Sequence, residues 1–149
     1  MESCGAQVPI TVVVAEDDED DRLLIAEAFR ANCQCLTLHF THDGVELLEY
    51  LTKTEVSKPC LILIDLNMPK MGGIEAVEQI KSNDRLKDIP IIVLTTSDDE
   101  DTIAKSYCSG ANSYIRKPMS FIQLEHIVDI IGKYWCEVVL LPGRVGCGT

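Results

Sequence analysis

Residues 61–73 read LILIDLNMPKMGG. Leu61–Ile64 is a continuous apolar run of strand length that stops on the carboxylate of Asp65. A strand apolar at every position, rather than at alternate ones, is buried on both faces, and this marks a parallel sheet covered by helices. Gly73–Ser82 then sets Ile74, Val77 and Ile80 at helical spacing. Strand followed by helix makes one βα unit.

The same unit recurs on either side. Thr11–Ala15 (TVVVA) predicts a first strand and Glu19–Asn32 a first helix, with Leu23, Ala26 and Phe29 inward. Leu36–Phe40 predicts the second strand and Gly44–Thr52 its helix, with Val45, Leu48 and Leu51 on one face. Ile91–Leu94 is the fourth strand, and Asp99–Ser109 a fourth helix closed by Gly110. Asn112–Ile115 and a long helix over Ser120–Trp135 complete the series, with Leu124, Ile127, Val128 and Ile131 inward. Five alternations predict an α/β, doubly wound (βα)5 fold of the flavodoxin-like kind, with a five-stranded parallel sheet. Right-handed crossovers place helices on both faces.

Composition bounds what such a fold could do. The chain has 149 residues, with 13 basic against 24 acidic ones, a net charge of -11. Nucleic acid is a dense polyanion, so this balance excludes a large nucleic-acid footprint. The apolar runs are too short to span a bilayer and the N-terminus lacks a secretory pattern, so the expectation is a cytoplasmic protein with no membrane. Seven cysteines (Cys4, Cys33, Cys35, Cys60, Cys108, Cys136 and Cys147) show no metal-type spacing and read as reduced thiols. His39, His42 and His126 read as ordinary polar residues rather than relay sites.

In a parallel sheet the site lies at the carboxyl ends of the strands. Four such ends carry complementary chemistry: Glu16-Asp17-Asp18, Asp65 to Pro69, Thr95-Thr96-Ser97, and Lys117-Pro118. Singly, each is ordinary, because acids start helices and threonines cap them. Together they are not. Two carboxylates about 4 Å apart repel by roughly 4 kcal/mol at an effective dielectric near 20. Glu16, Asp17 and Asp65 side by side therefore call for a cation or a raised pKa. A hard divalent ion such as Mg²⁺ takes oxygen ligands and keeps exchangeable waters. Lys117 adds fixed positive charge and Thr95 a hydroxyl, a set suited to stabilising a phosphoryl group in flight.

The segments VVVAEDDEDDR, LILIDLNMPKMGG, IIVLTTS and SYIRKP, in that order, resemble the signature of bacterial response-regulator receivers. The resemblance spans residues 11–135. It implies that Asp65 is the phosphoacceptor, that Asp17 binds Mg²⁺ directly and Glu16 through water, and that the backbone carbonyl of Asn67 completes the ligands. It gives Lys117 the phosphoryl oxygens, with a cis bond to Pro118, and makes Thr95 and Tyr114 a switch pair whose ring turns inward. Thr96, bulkier than the small residue often found there, would restrict access, and Asn67 and Ser97 sit where hydrolysis is tuned. Such a chain acts as a phosphoacceptor, catalysing its own phosphoryl transfer and slow autodephosphorylation, rather than as an enzyme on a separate substrate.

A receiver over 9–135 leaves a short C-terminal extension, 136–149, and no room for an output domain. The acidic start, LTTS and the tail after Trp135 resemble single-domain regulators of cyanobacterial phytochromes. That likeness implies a phytochrome-type histidine kinase as partner and a homodimer through the face of helix four, strand five and helix five. Val138–Leu141 would either fold back or complete that dimer, and the downstream partner is invisible. Two alternatives fit the residues less well. A haloacid-dehalogenase phosphatase would want a general-acid aspartate where Asn67 stands, and a phosphorylation-independent adaptor would not need the active-site residues.

Overall fold

The computed structural model describes residues 10–32, 36–53 and 58–139. The elements alternate from β1 (Ile10–Ala15) and α1 (Glu19–Asn32) through β2 (Leu36–Thr41), α2 (Gly44–Thr52), β3 (Leu61–Ile64), α3 (Gly73–Lys81), β4 (Ile91–Thr95), α4 (Glu100–Ser109) and β5 (Ser113–Arg116) to α5 (Phe121–Lys133). The strands form one sheet in the order β2-β1-β3-β4-β5. Every pairing is parallel, with Val14 opposite both Phe40 and Leu63, and Val93 opposite Ile64 and Tyr114. The doubly wound fold expected from the sequence is the one found.

Strand geometry divides the core in two, because successive side chains point to opposite faces. Val13, Ala15, Ile62, Ile64, Ile91 and Val93 meet α2 and α3 through Leu47, Leu51, Val77 and Ile80. Val12, Val14, Leu61, Leu63, Ile92 and Leu94 meet α1 and α5 through Ile25, Phe29, Leu124 and Val128. The three central strands are buried almost throughout, whereas the edge strands β2 and β5 are largely half-exposed. This is why only the central three read as unbroken apolar runs.

Helix ends follow ordinary capping chemistry. The carboxylate of Asp43 accepts from the Glu46 amide at 2.8 Å and that of Asp99 from the Thr102 amide at 3.0 Å. Asp99 is thus the cap of α4, not its first helical residue. Ser120 caps α5 in the same way. Gly110 closes α4 at φ 115°, a left-handed conformation suited to glycine.

Three expectations are corrected in detail. Leu23 is 59% exposed, and α1 buries Ile25, Ala28 and Phe29 instead. LLIAEAF contains two adjacent apolar stripes at helical spacing, and the packing of α1 against α5 selects the second. Val45 is likewise exposed, and Gly44, Leu47 and Leu51 form the inner face of α2. The fifth helix is α-helical only to Lys133, and then widens into a π turn over Tyr134–Val138, with the Val139 amide donating to the Tyr134 carbonyl at 2.8 Å. The remainder of the tail expectation, from Leu140 on, lies outside the described residues.

Candidate functional site

The sheet ladder runs past the strand ends and gathers the predicted residues. The Glu16 amide donates to the Thr41 carbonyl at 2.9 Å, that of Asp65 to Ala15 at 3.0 Å, and that of Lys117 to Thr95 at 2.7 Å. Glu16, Asp65 and Thr95 are buried, while Asp17 faces solvent. Each of Glu16, Asp17 and Asp65 offers a carboxylate oxygen, and these oxygens lie within 4.8 Å of one another. Three hard oxygen donors converging at a partly open edge fit a hard divalent cation.

Lys117 is the hub of the cluster. Its Nζ donates to Glu16 Oε1 at 2.6 Å, to Asp21 Oδ2 at 2.8 Å and to Asp65 Oδ2 at 3.3 Å. Burial disfavours the ammonium charge, but the hydrogen bonds to Asp21 and Glu16 and the charge of Asp65 outweigh it, so the pKa lies above its ordinary range. Glu16 is pushed up to about 7. Burial is the main cause and the Asp65 charge adds to it, while the hydrogen bond from Lys117 and the Asp18 amide oppose it.

Asp21 is the residue that sequence reasoning missed. It stands in the first turn of α1, where acids are favoured by the helix dipole alone. Nothing in EDDEDD separates it from its solvated neighbours. Its distinguishing signal is one of phase: the Asp18 carboxylate caps the helix by accepting from the Asp21 amide at 3.0 Å.

The loop after β3 is held by backbone contacts. The Gly44 amide donates to the Met71 carbonyl at 3.0 Å and the Gly73 amide to the Leu66 carbonyl at 3.1 Å. A Cβ on Gly44 would lie 2.6 Å from the Met71 oxygen, and one on Gly73 would lie 2.5 Å from the Asp65 oxygen. Both positions therefore require glycine for close approach. Lys70 takes φ 67° in this loop and its ammonium lies 3.8 Å from Asp43. Asn67 is exposed, and its amide donates to Asp65 Oδ1 at 3.3 Å.

On the other side of Lys117 the site is made of hydroxyls. Thr95 Oγ1 is buried and has no hydrogen-bond partner among the described residues. Tyr114 is half-buried and its hydroxyl donates to the Ser97 carbonyl at 2.7 Å, while its amide donates to the Tyr107 hydroxyl. Thr96 is exposed. The Lys117–Pro118 bond, for which the resemblance implies cis, is trans. Trans is the lower-energy isomer even before proline, and the Lys117 ammonium reaches all three carboxylates with it.

The histidines stand apart from the cluster. His39 stacks on Tyr50 at 3.9 Å, His126 is exposed on α5, and His42 pairs with Glu46 at 2.7 Å, which lowers the Glu46 pKa. Cys108 is exposed and Cys60 half-buried. Cys4, Cys33, Cys35 and Cys147, and the side chain of Cys136, lie outside the described residues. No described helix is long and apolar enough to cross a membrane.

Residues 12–129 match the family model of the response regulator receiver domain. The chain belongs to this family. Receivers of two-component systems accept a phosphoryl group from a histidine kinase with Mg²⁺ as a general property of the family. Membership removes the haloacid-dehalogenase reading. The chain is similar to Rcp1, a response regulator of Synechocystis, with 35% identity over 90% of this chain and 94% of that protein. It is 37% identical to the "probable methanogenesis regulatory protein FilR2" of Methanothrix harundinacea, over 93% of this chain and 91% of that protein. Among solved structures, the phosphorylated cyanobacterial phytochrome response regulator RcpA superposes with a TM-score of 0.85, at 38% identity over 90% of this chain and 99% of RcpA. Rcp1 has been solved in an Mn²⁺-bound form, with a TM-score of 0.83. This receiver is therefore related to phytochrome response regulators.

Proposed function

We propose that Asp65 of this receiver accepts a phosphoryl group from a histidine kinase and thereby switches a protein-interaction surface. The observation that carries the reading is the buried Asp65 carboxylate, with Lys117 Nζ at 3.3 Å and the Glu16 and Asp17 oxygens beside it. An Asp65 oxygen would attack phosphorus, the phosphorus–nitrogen bond of the phosphohistidine would break, and its electron pair would return to the imidazole. Lys117 offsets charge on the phosphoryl oxygens. Glu16, Asp17, Asp65 and the Asn67 carbonyl would hold Mg²⁺, which when bound neutralises the charge shared by carboxylates and phosphoryl group. Thr95, whose buried hydroxyl lacks a partner, would turn to the phosphoryl group, and Tyr114 would leave Ser97 to fill the space behind it.

The test is labelling with acetyl phosphate and Mg²⁺. The wild-type chain is expected to take up phosphate that survives mild acid and is released by base, and persistent labelling of Asp65→Asn would remove the assignment.

A phytochrome-type kinase is the proposed partner, supported by the likeness to RcpA and Rcp1. The similar identity to FilR2 favours a second reading, a sensor kinase that is not a photoreceptor. Phosphotransfer from a purified phytochrome kinase, compared in rate with an unrelated kinase, separates the two.

A cytoplasmic homodimer through α4, β5 and α5 is also proposed, with the receiver at 9–135 and the extension at 136–149. Its support is the set of exposed apolar side chains Tyr107, Ile122, Ile130, Tyr134 and Val138, since such groups mark contacts when they cluster. Sedimentation of the full chain against one ending at Trp135 tests the tail, and equal masses would mean that it does not drive association.

A further inference from the structure

Asp21 is not one of the three carboxylates that converge for a cation, yet it makes the second-shortest contact to Lys117. An ammonium has three hydrogens to give. Here all three are committed, at 2.6 Å to Glu16, 2.8 Å to Asp21 and 3.3 Å to Asp65. A divalent cation held by Glu16, Asp17 and Asp65 would compete with Lys117 for two of its partners by neutralising their charge, and Asp21 is not among the carboxylates that would hold it. Asp21 is therefore the anion that still competes for the ammonium when a phosphoryl oxygen arrives.

We infer that Asp21 is a positioning residue that holds the Lys117 ammonium toward the mouth of the site, and so slows phosphoryl uptake by Asp65 and shortens the life of the product. The inference rests on Asp65 being the phosphoacceptor. Two features point in the same direction. The Asp21 side chain is 36% exposed against 11% for Lys117, so it sits at the rim, where an anionic donor must approach. It also lines a small groove with Leu24, Pro118, Met119 and Phe121, immediately beside the ammonium. A carboxylate there both repels the incoming anion and occupies a donor that the phosphoryl group needs.

A merely structural Asp21 predicts something different. An acid in the first turn of a helix contributes through the dipole, and its loss would lower thermal stability slightly without accelerating any reaction. The deciding measurement is the rate of labelling by acetyl phosphate with Mg²⁺ and the decay of the base-labile phosphate, in wild type, Asp21→Asn, Asp21→Ser and Asp21→Glu, each with its melting temperature. Asp21→Asn and Asp21→Ser are expected to label about three- to tenfold faster than wild type and to retain phosphate correspondingly longer, the scale of one lost charge-assisted contact. Asp21→Glu is expected to restore both values to near wild type. Unchanged or slower labelling in the folded Asn and Ser variants overturns the inference while leaving Asp65 as the acceptor. Absence of Asp65-dependent labelling in the wild type itself overturns both.

Discussion

The two halves of the site that meet at Lys117 are built in opposite ways. On one side Glu16, Asp21 and Asp65 lock the ammonium in three charge-assisted bonds. On the other, Thr95 buries a hydroxyl without a partner and Tyr114 leans on a single loop carbonyl. The charged half is satisfied at rest and must be rearranged to react. The hydroxyl half carries an unmet hydrogen bond and gains when an acceptor appears beside it. On the function proposed above, the charged half would take the phosphoryl group in and the hydroxyl half would report it.

The largest expected effect comes from emptying the hub. Lys117→Met leaves buried Glu16 and Asp65 without their cation, and labelling by acetyl phosphate should fall by about a hundredfold or more, the scale for removing an electrostatic donor from a reacting centre. Circular dichroism showing a folded variant that labels at wild-type rate would mean that the charged half is not the reactive one.

Proton competition comes next. Glu16 must lose its proton to bind a cation. With its pKa at about 7, divalent-ion affinity measured by calorimetry should weaken below neutrality, approaching about tenfold per pH unit. The sign for stability is opposite. The Glu16 pKa is raised on folding, so its contribution is fully present below the ordinary carboxylate value of 4.5 and is lost as pH rises through about 7. In chelator, denaturation midpoints should therefore decline between those values. Glu16→Gln should flatten that decline and weaken cation binding at every pH.

The hydroxyl half predicts a smaller effect of opposite sign on stability. An unmet buried hydroxyl costs about 1–3 kcal/mol, so Thr95→Val should be neutral or stabilising by up to about 1 kcal/mol in urea titration. The same variant should blunt the phosphorylation-dependent change in partner binding. A clear destabilisation would show that the Thr95 hydroxyl is satisfied in solution. The smallest change is expected for Tyr114→Phe, which loses the bond to the Ser97 carbonyl and about 1 kcal/mol or less.

How much of this was legible follows from what kind of signal each residue gives. Leu61–Ile64 and Ile91–Leu94 announced a buried parallel sheet because every position is apolar. Once the sheet was fixed, the alternation of elements dictated that Glu16, Asp65, Thr95 and Lys117 share an edge. Leu23 misled because α1 has two apolar stripes and only its partner α5 decides between them. Asp21 was hidden in a run of acids that looks the same whether solvated or bonded. The trans bond before Pro118 is a choice between isomers of nearly equal energy, and residue identity alone does not make it.

The amide of Lys117 donates to the carbonyl of Thr95 at 2.7 Å. That single backbone link ties the tip of an edge strand to the tip of its inner neighbour. Its consequence would be mechanical economy: Lys117, proposed to meet the phosphoryl charge, and Thr95, proposed to start the response, hang from opposite ends of the same clasp. Arrival of a phosphoryl group and the first movement of the output face would then form one displacement, with no intervening chain of contacts to lose the message.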